Sequence, residues 1–310
     1  MRRFASLLLA AVVAWPGAAP ASAVSAPVPM LWKASNGERS VYLLGSFHLL
    51  KASDYPLSAD VDAAFDDAES LLFEMPPEEL GSVALAMEMG RAALRTDGTT
   101  LDSELPPATA QRLRAWLETN QARLQARGLS APMLQLFEPW FVGLNIALLG
   151  MGDAGLDPEL GLDRHLAREA AATGKPTAGL ETGSEQVAFL DGMDRVEQVQ
   201  MLEEALANAQ PGSGDIEELH ALWRAGDAAA LRDRMARDMQ RKYPRLYERI
   251  NVERNDAWLP GIEARLQGGG DDDTLVVVGA LHLLGEDGLV AKLRARGYTV
   301  ERICGARAAR

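Results

Sequence analysis

One cysteine, Cys304, stands in 310 residues, so no internal disulfide braces the chain and its core has to hold alone. Positive charge is in deficit as well. The 31 Lys and Arg against 44 Asp and Glu leave a formal charge of −13, which argues against nucleic acid as a partner. Past the N-terminal segment, no apolar run approaches the ~20 residues that span a bilayer. The longest, Phe141 to Gly150 and Leu275 to Leu284, are interrupted by Asn145 and His282, so stable membrane insertion is not expected. Familiar catalytic signatures are missing too. There is no H-E-x-x-H and no G-x-S-x-G, and Ser46 lacks the strand-to-helix turn of a nucleophile elbow. Gly150 to Gly155 has G-x-G-x-x-G spacing, but it follows a helical pattern and runs into Asp157-Pro158, which argues against dinucleotide binding.

What is present begins with an export signal. Arg2 and Arg3 precede an apolar run from Phe4 to Trp15, and Ala21-Ser22-Ala23 has the small-residue pattern of a cleavage site. Residues 1–23 therefore read as a secretory signal peptide cleaved near Ala23, and residues 24–310 as the mature chain, periplasmic or secreted. The composition of the full 310 residues, 47% hydrophobic and 24% charged, is that of a globular protein.

Along the mature chain, Met30 to Lys33 and Arg39 to Phe47 flank Asn36-Gly37, a strong hairpin signal. A helical pattern after Ser58 and the apolar run Leu71-Leu72-Phe73 complete a strand–helix–strand unit. The middle is mostly helical, roughly 78–95, 108–127, 133–150, 161–173, 184–207, 215–240 and 242–267, with a short strand from Thr177 to Thr182. Thr274 to Gly279 is the most β-like run; a helix from about Glu286 to Arg296 and a strand from Tyr298 to Ile303 follow. This predicts one α/β domain whose sheet is formed by N- and C-terminal strands around a large helical middle.

Of four histidines, two sit in nearly the same context. An apolar strand runs into Gly45-Ser46-Phe47-His48-Leu49-Leu50, and another into Gly279-Ala280-Leu281-His282-Leu283-Leu284. A glycine there permits close backbone approach, and the His falls beyond the strand's carboxyl end, the edge where open α/β sheets bind ligands. Glu74 ends the neighbouring strand in the same way. Two imidazoles and a carboxylate make either a metal site with open positions or a general acid/base set. His165 and His220 lie inside helical patterns without partnering motifs and read as structural or surface residues. Cys304 reads as packing in or near the last strand.

The two Gly-x-x-His segments, with Phe73-Glu74-Met75, resemble the TraB/GumN/Tiki superfamily, whose Tiki proteins are metal-dependent proteases. The similarity continues through Gly161-Leu162-Asp163, Gly179-Leu180-Glu181-Thr182, Arg254-Asn255 with Trp258, and Gly288 to Tyr298. The Cys-poor, exported form is similar to the GumN-like bacterial branch. This resemblance implies a Tiki/erythromycin-esterase-like fold with His48, Glu74 and His282 at the core of the site and Arg254 close by.

Glu181 ends the short strand, either as a further carboxylate on the rim and metal ligand, or as a cap for the helix near Ser184. Arg254 follows a basic stretch whose arginines recur at helical spacing, the mark of a solvated face, and only the resemblance makes it an oxyanion or substrate binder. Asp163 reads as a first-turn helix acid. The expectation is a metal-dependent, peptidase-like hydrolase. His48, Glu74 and His282, with Glu181, hold a divalent Mn, Co or Zn ion, and the substrate is a peptide or small ester. Two alternatives stand beside it: a metal-independent esterase with a His general base, and a non-catalytic binder of metal, haem or a peptide signal.

Overall fold

The computed structural model describes residues 25–37, 39–210, 215–268 and 272–304. The signal read at residues 1–23 lies outside the described residues. β1 (Leu31–Ser35) and β2 (Ser40–Ser46) form the expected antiparallel hairpin, with Leu31 opposite Leu44 and Ser35 opposite Ser40. Gly37 sits at φ 100°, a conformation that favours glycine. The helix Ala59–Asp67 leads to β3 (Ser70–Phe73), and β4 (Thr177–Gly179), β5 (Thr274–Gly279) and β6 (Thr299–Ile303) complete one six-stranded sheet.

The strand order is β4-β3-β5-β2-β1-β6. β2, β5, β3 and β4 run parallel, and β1 is antiparallel to both β2 and β6. β5, late in the chain, inserts between β2 and β3, so the N-terminal strand–helix–strand unit is split by a C-terminal strand. Its Leu275, Val276, Val277 and Val278 are fully buried, which accounts for an apolar run without alternation.

The helical middle breaks more often than its apolar periodicity predicts, and two of the breaks have a plain local cause. The 184–207 stretch is two helices, Gly183–Asp191 and Arg195–Asn208, because Asp194 caps the second and forms a capping box with Glu197. The 133–150 stretch restarts at Pro139–Asp153, with proline in the first helical position. Two wide π turns, Asp233–Arg237 and Glu248–Glu253, interrupt the late helices before Arg254–Gln267. One apolar cluster surrounds the sheet, and a second, including Leu113, Ile146, Leu202 and Leu206, fills the helical section. Within that section Gly143 lets the helices Pro139–Asp153 and Arg195–Asn208 touch, since a Cβ there would stand 3.1 Å from Leu202 Cα.

The whole is a single α/β domain with a sheet of N- and C-terminal strands and a helical middle. Among the described residues no helix is long and apolar enough to cross a membrane. Cys304 differs from expectation: it lies just past β6, an edge strand, and is exposed rather than packed.

Candidate functional site at the carboxyl rim of the sheet

The parallel strands deliver their side chains to one edge. Ser46 of β2 pairs with Gly279 of β5, and Phe73 of β3 pairs with Val277 of β5 and Gly179 of β4. His48, Glu74, Glu181 and His282 each follow one of these strand ends. Neighbouring strands differ in where they stop, which brings residues from four distant parts of the chain to a common rim.

Both motif glycines are required by close approach. A Cβ on Gly45 would lie 3.0 Å from Met30 Cβ and 3.1 Å from Ala280 Cα. One on Gly279 would intrude on the site itself, 3.2 Å from both Glu74 Oε1 and His48 Nε2. Gly161 opens the helix Leu162–Thr173 against the His48 carbonyl, where a Cβ would stand 2.0 Å from that oxygen.

Each imidazole is held through Nδ1. His282 Nδ1 lies 2.8 Å from Asn255 Oδ1, and Asn255 Nδ2 donates to the Asp287 carbonyl at 2.8 Å, which fixes the amide so that Nδ1 carries the proton. His48 Nδ1 lies 2.9 Å from Asp163 Oδ2, and Ser46 Oγ donates to the same carboxylate at 2.8 Å. The Nε2 atoms are thereby turned toward Glu74 Oε1, at 3.7 Å from His48 and 4.0 Å from His282. Glu74 Oε1 also accepts from Gly279 N at 2.7 Å.

Arg254 ties the carboxylates together. Its Nη2 donates to Glu74 Oε2 at 2.7 Å and to Glu181 Oε1 at 2.6 Å, and its guanidinium lies 4.5 Å from the Trp258 ring centroid. Trp258 Nε1 donates to Glu181 Oε2 at 3.0 Å, and its ring packs on His282 at 4.5 Å between centroids.

These neighbours push the two histidines apart. The Asp163 carboxylate raises His48 to about 9, with Glu74 adding to the effect and partial desolvation and Arg254 acting against it. Burial lowers His282 to about 4, and Arg254 pushes it the same way. For Glu74 burial acts upward, but Arg254, the imidazoles and the Gly279 N–H outweigh it and hold the carboxyl far below its ordinary range. Glu74 and Glu181 likewise keep Arg254 charged despite its burial.

The donor chemistry fits a divalent cation. Two imidazoles that give Nδ1–H to an oxygen acceptor and turn Nε2 to a shared carboxylate oxygen are held as metal-ligating histidines are, with the ring orientation fixed from behind. The spacing is open, since ligand atoms about 2.0–2.2 Å from one ion stand about 3.0–3.6 Å apart. Among the described residues no group of three or more His, Cys, Asp or Glu is already in ligating position. Both Nε2 atoms stand outside that spacing from Glu74 Oε1, at 3.7 and 4.0 Å, so closing the three on one ion asks for an inward shift of their side chains. Glu181 is turned to Arg254 and Trp258, and the cap of the following helix is Thr182 with Glu185, not Glu181.

His165 and His220 stay outside the site: His165 packs on Tyr55, and His220 Nε2 meets Asp54 Oδ2 at 2.8 Å. In the basic stretch, Arg234 pairs with Glu218 and Arg245 with Glu248 as a solvated face does, but Arg249 departs from that expectation and turns inward to the buried Glu197. Asp163 is both a first-turn acid and the partner of His48. Its sole signal in the sequence is its place in Gly161-Leu162-Asp163.

This rim and sheet define a class. The chain belongs to the TraB/PrgY/gumN family, which matches residues 30–302. It is similar to the Metalloprotease TIKI2 of Danio rerio, 25% identical over 84% of this chain, and spans 58% of that protein's length. It is similar also to the uncharacterized protein YbaP of Escherichia coli (strain K12), 23% identical over 83% of this chain and 89% of YbaP. No solved structure matches the sequence.

Proposed function

We propose that this chain is a metal-dependent hydrolase of peptide bonds, with His48, Glu74 and His282 holding a divalent ion at the carboxyl rim. The observation that carries this reading is the pair of imidazoles fixed through Nδ1 by Asp163 and Asn255, with both Nε2 atoms turned to Glu74 Oε1. Membership of a family that includes a metalloprotease relative supports it. When bound, the ion supplies Lewis acidity toward a carbonyl and a lowered pKa for water. The protein's own part is positional. Asp163 and Asn255 set the ring orientations, and Gly279 leaves the space in front of them empty. Arg254 Nη1, whose contact with His282 Nε2 is long at 3.3 Å, is the donor that turns to a developing oxyanion.

That same contact favours a second reading. Arg254 donates toward the lone pair a metal would take, so a metal-free centre with a histidine as general base for ester hydrolysis is also coherent. Elemental analysis and turnover in chelator separate the two. The metal reading expects chelator to abolish peptide turnover. It also expects His48→Ala or His282→Ala to remove most bound metal, with the double variant adding little, because ligands of one ion act as a unit. Full metal content in both single variants, or turnover that survives chelator, overturns it.

Export belongs to the same proposal. The Arg2-Arg3 start, the apolar run and Ala21-Ser22-Ala23 support cleavage after Ala23 and action outside the cytoplasm. N-terminal sequencing of the exported protein is expected to begin at Val24, and Met1 retained there would refute it.

A further inference from the structure

Resting on the peptidase reading, we propose that the outer edge of β4 is a docking strand for the main chain of an extended peptide and feeds it toward His48, Glu74 and His282. β4 ends the sheet, with β3 as its one neighbour. In a parallel pair the residues of a strand alternate between facing the partner and facing away. Leu71 N donates to the Pro176 carbonyl at 2.9 Å and Leu180 N to the Phe73 carbonyl at 2.8 Å. Ala178 therefore turns its backbone groups to β3, and Thr177 and Gly179 turn theirs outward. Among the described residues neither makes a hydrogen bond through those outward groups, and the strand is part-exposed along its length. Edges of this kind are normally blunted by a charged side chain, a proline or a bulge. β4 is only three residues long and follows Lys175-Pro176, which limits it to pairing with a short segment, and Thr177, Ala178 and Gly179 themselves carry no charge or proline.

Outward N–H and C=O groups along an extended strand match one chemistry, another extended backbone. The edge is also continuous with the site. Two residues past Gly179, Glu181 bonds Arg254, which bonds Glu74. A strand added beside β4 lies about 4.8 Å from it and about 10 Å from β3, or roughly three extended residues from Glu74. The docked residues are thus a flank of the substrate, a few residues from the bond to be cut. Substrates shorter than that flank cannot use the edge.

Thr177→Pro tests this cleanly, because it deletes an outward N–H and leaves the β3 ladder intact. In the metal-loaded full chain, a peptide of about ten residues is expected to show KM raised about tenfold with kcat unchanged. A dipeptide amide should be cleaved equally by both proteins, and the melting temperature should stay the same. Should Thr177→Pro fail to fold, the wild type with a peptide N-methylated at alternate residues gives the same comparison, with methylation in one phase raising KM. An unchanged KM in either experiment overturns the docking strand while leaving the hydrolase reading in place. If the wild type cleaves no peptide, the hydrolase reading fails and the edge is judged by binding. Hydrogen exchange at the Thr177 and Gly179 amides then slows when the long peptide is added, and exchange rates that do not change overturn the proposal.

Discussion

At the scale of single residues, the site sets two chemically identical side chains to opposite states. In the metal-free protein at neutral pH, His48 is protonated on Asp163 and His282 is neutral on Asn255, with values of about 9 and about 4 against an ordinary 6.5. The signs differ accordingly. His48's contribution to stability is complete below pH 6.5 and is lost as pH rises through about 9. It is softened by water, since that side chain is 54% exposed. His282's contribution is complete above pH 6.5 and is lost as pH falls toward about 4. Ring-proton NMR of the metal-free protein should resolve two titrations on either side of 6.5, and Asp163→Asn should bring the upper one down. Two titrations near 6.5 would refute the assignment. The pair itself was legible because a Gly-x-x-His-Leu-Leu context occurs twice. Asp163 was not, because an acid in a helix's first turn has an ordinary use and its bond to His48 crosses 115 positions of chain.

At the scale of elements, the question is what each strand-end carboxylate does for the helix that follows. The helix Gly183–Asp191 is capped by Thr182, whose side chain accepts from Glu185 N while Glu185 reaches back to the Thr182 N–H. Glu181 is free of that duty and spends its charge on Arg254. Thr182→Ala is therefore expected to cost about 1 kcal/mol and leave metal content alone. Glu181→Gln should retain the Trp258 bond, loosen Arg254 and lower turnover more than metal content. Thermal melts with elemental analysis of both variants check this, and loss of metal in the Thr182 variant would contradict it. The hairpin, the short β4, β5 and the final helix and strand could all be read from apolar pattern and turn residues. The insertion of β5 between β2 and β3 could not, since pattern says which residues form a strand and not which strand lies beside it. The wide turn Glu248–Glu253, which sets the rotation of Arg254 and Asn255 about their helix, also leaves no trace in periodicity.

At the scale of the whole molecule, the helical layer is fastened to the sheet just behind the site. Trp223, on the helix Asp215–Ala225, donates through Nε1 to the Gly45 carbonyl at 3.0 Å. Beside it, Asp54 has no solvent exposure and accepts from Lys51 N at 2.7 Å, from His220 Nε2 at 2.8 Å and from Arg224. Arg224 continues to the Ser25 carbonyl at 2.8 Å, so a single buried carboxylate joins the chain after β2, the helical layer and the start of the described fold. Burial alone would raise the Asp54 pKa. The Lys51 N–H, His220 and Arg224 reverse this and hold it below its ordinary 3.8. A folded-state pKa below the unfolded one means that the contribution is complete above about pH 4 and is lost as pH falls through the folded value. Asp54→Asn removes the charge but keeps the shape, and leaves Arg224 without its buried partner, at a cost of about 3 kcal/mol at pH 7. Urea midpoints for the two proteins should differ most at neutral pH and draw together below pH 4, where the wild type gains the proton that cancels its advantage. A gap that stays constant from pH 7 to pH 3 would show that folding leaves the Asp54 pKa unshifted and that the fastening is not ionic, and one that widens as pH falls would show a carboxyl neutral in the fold.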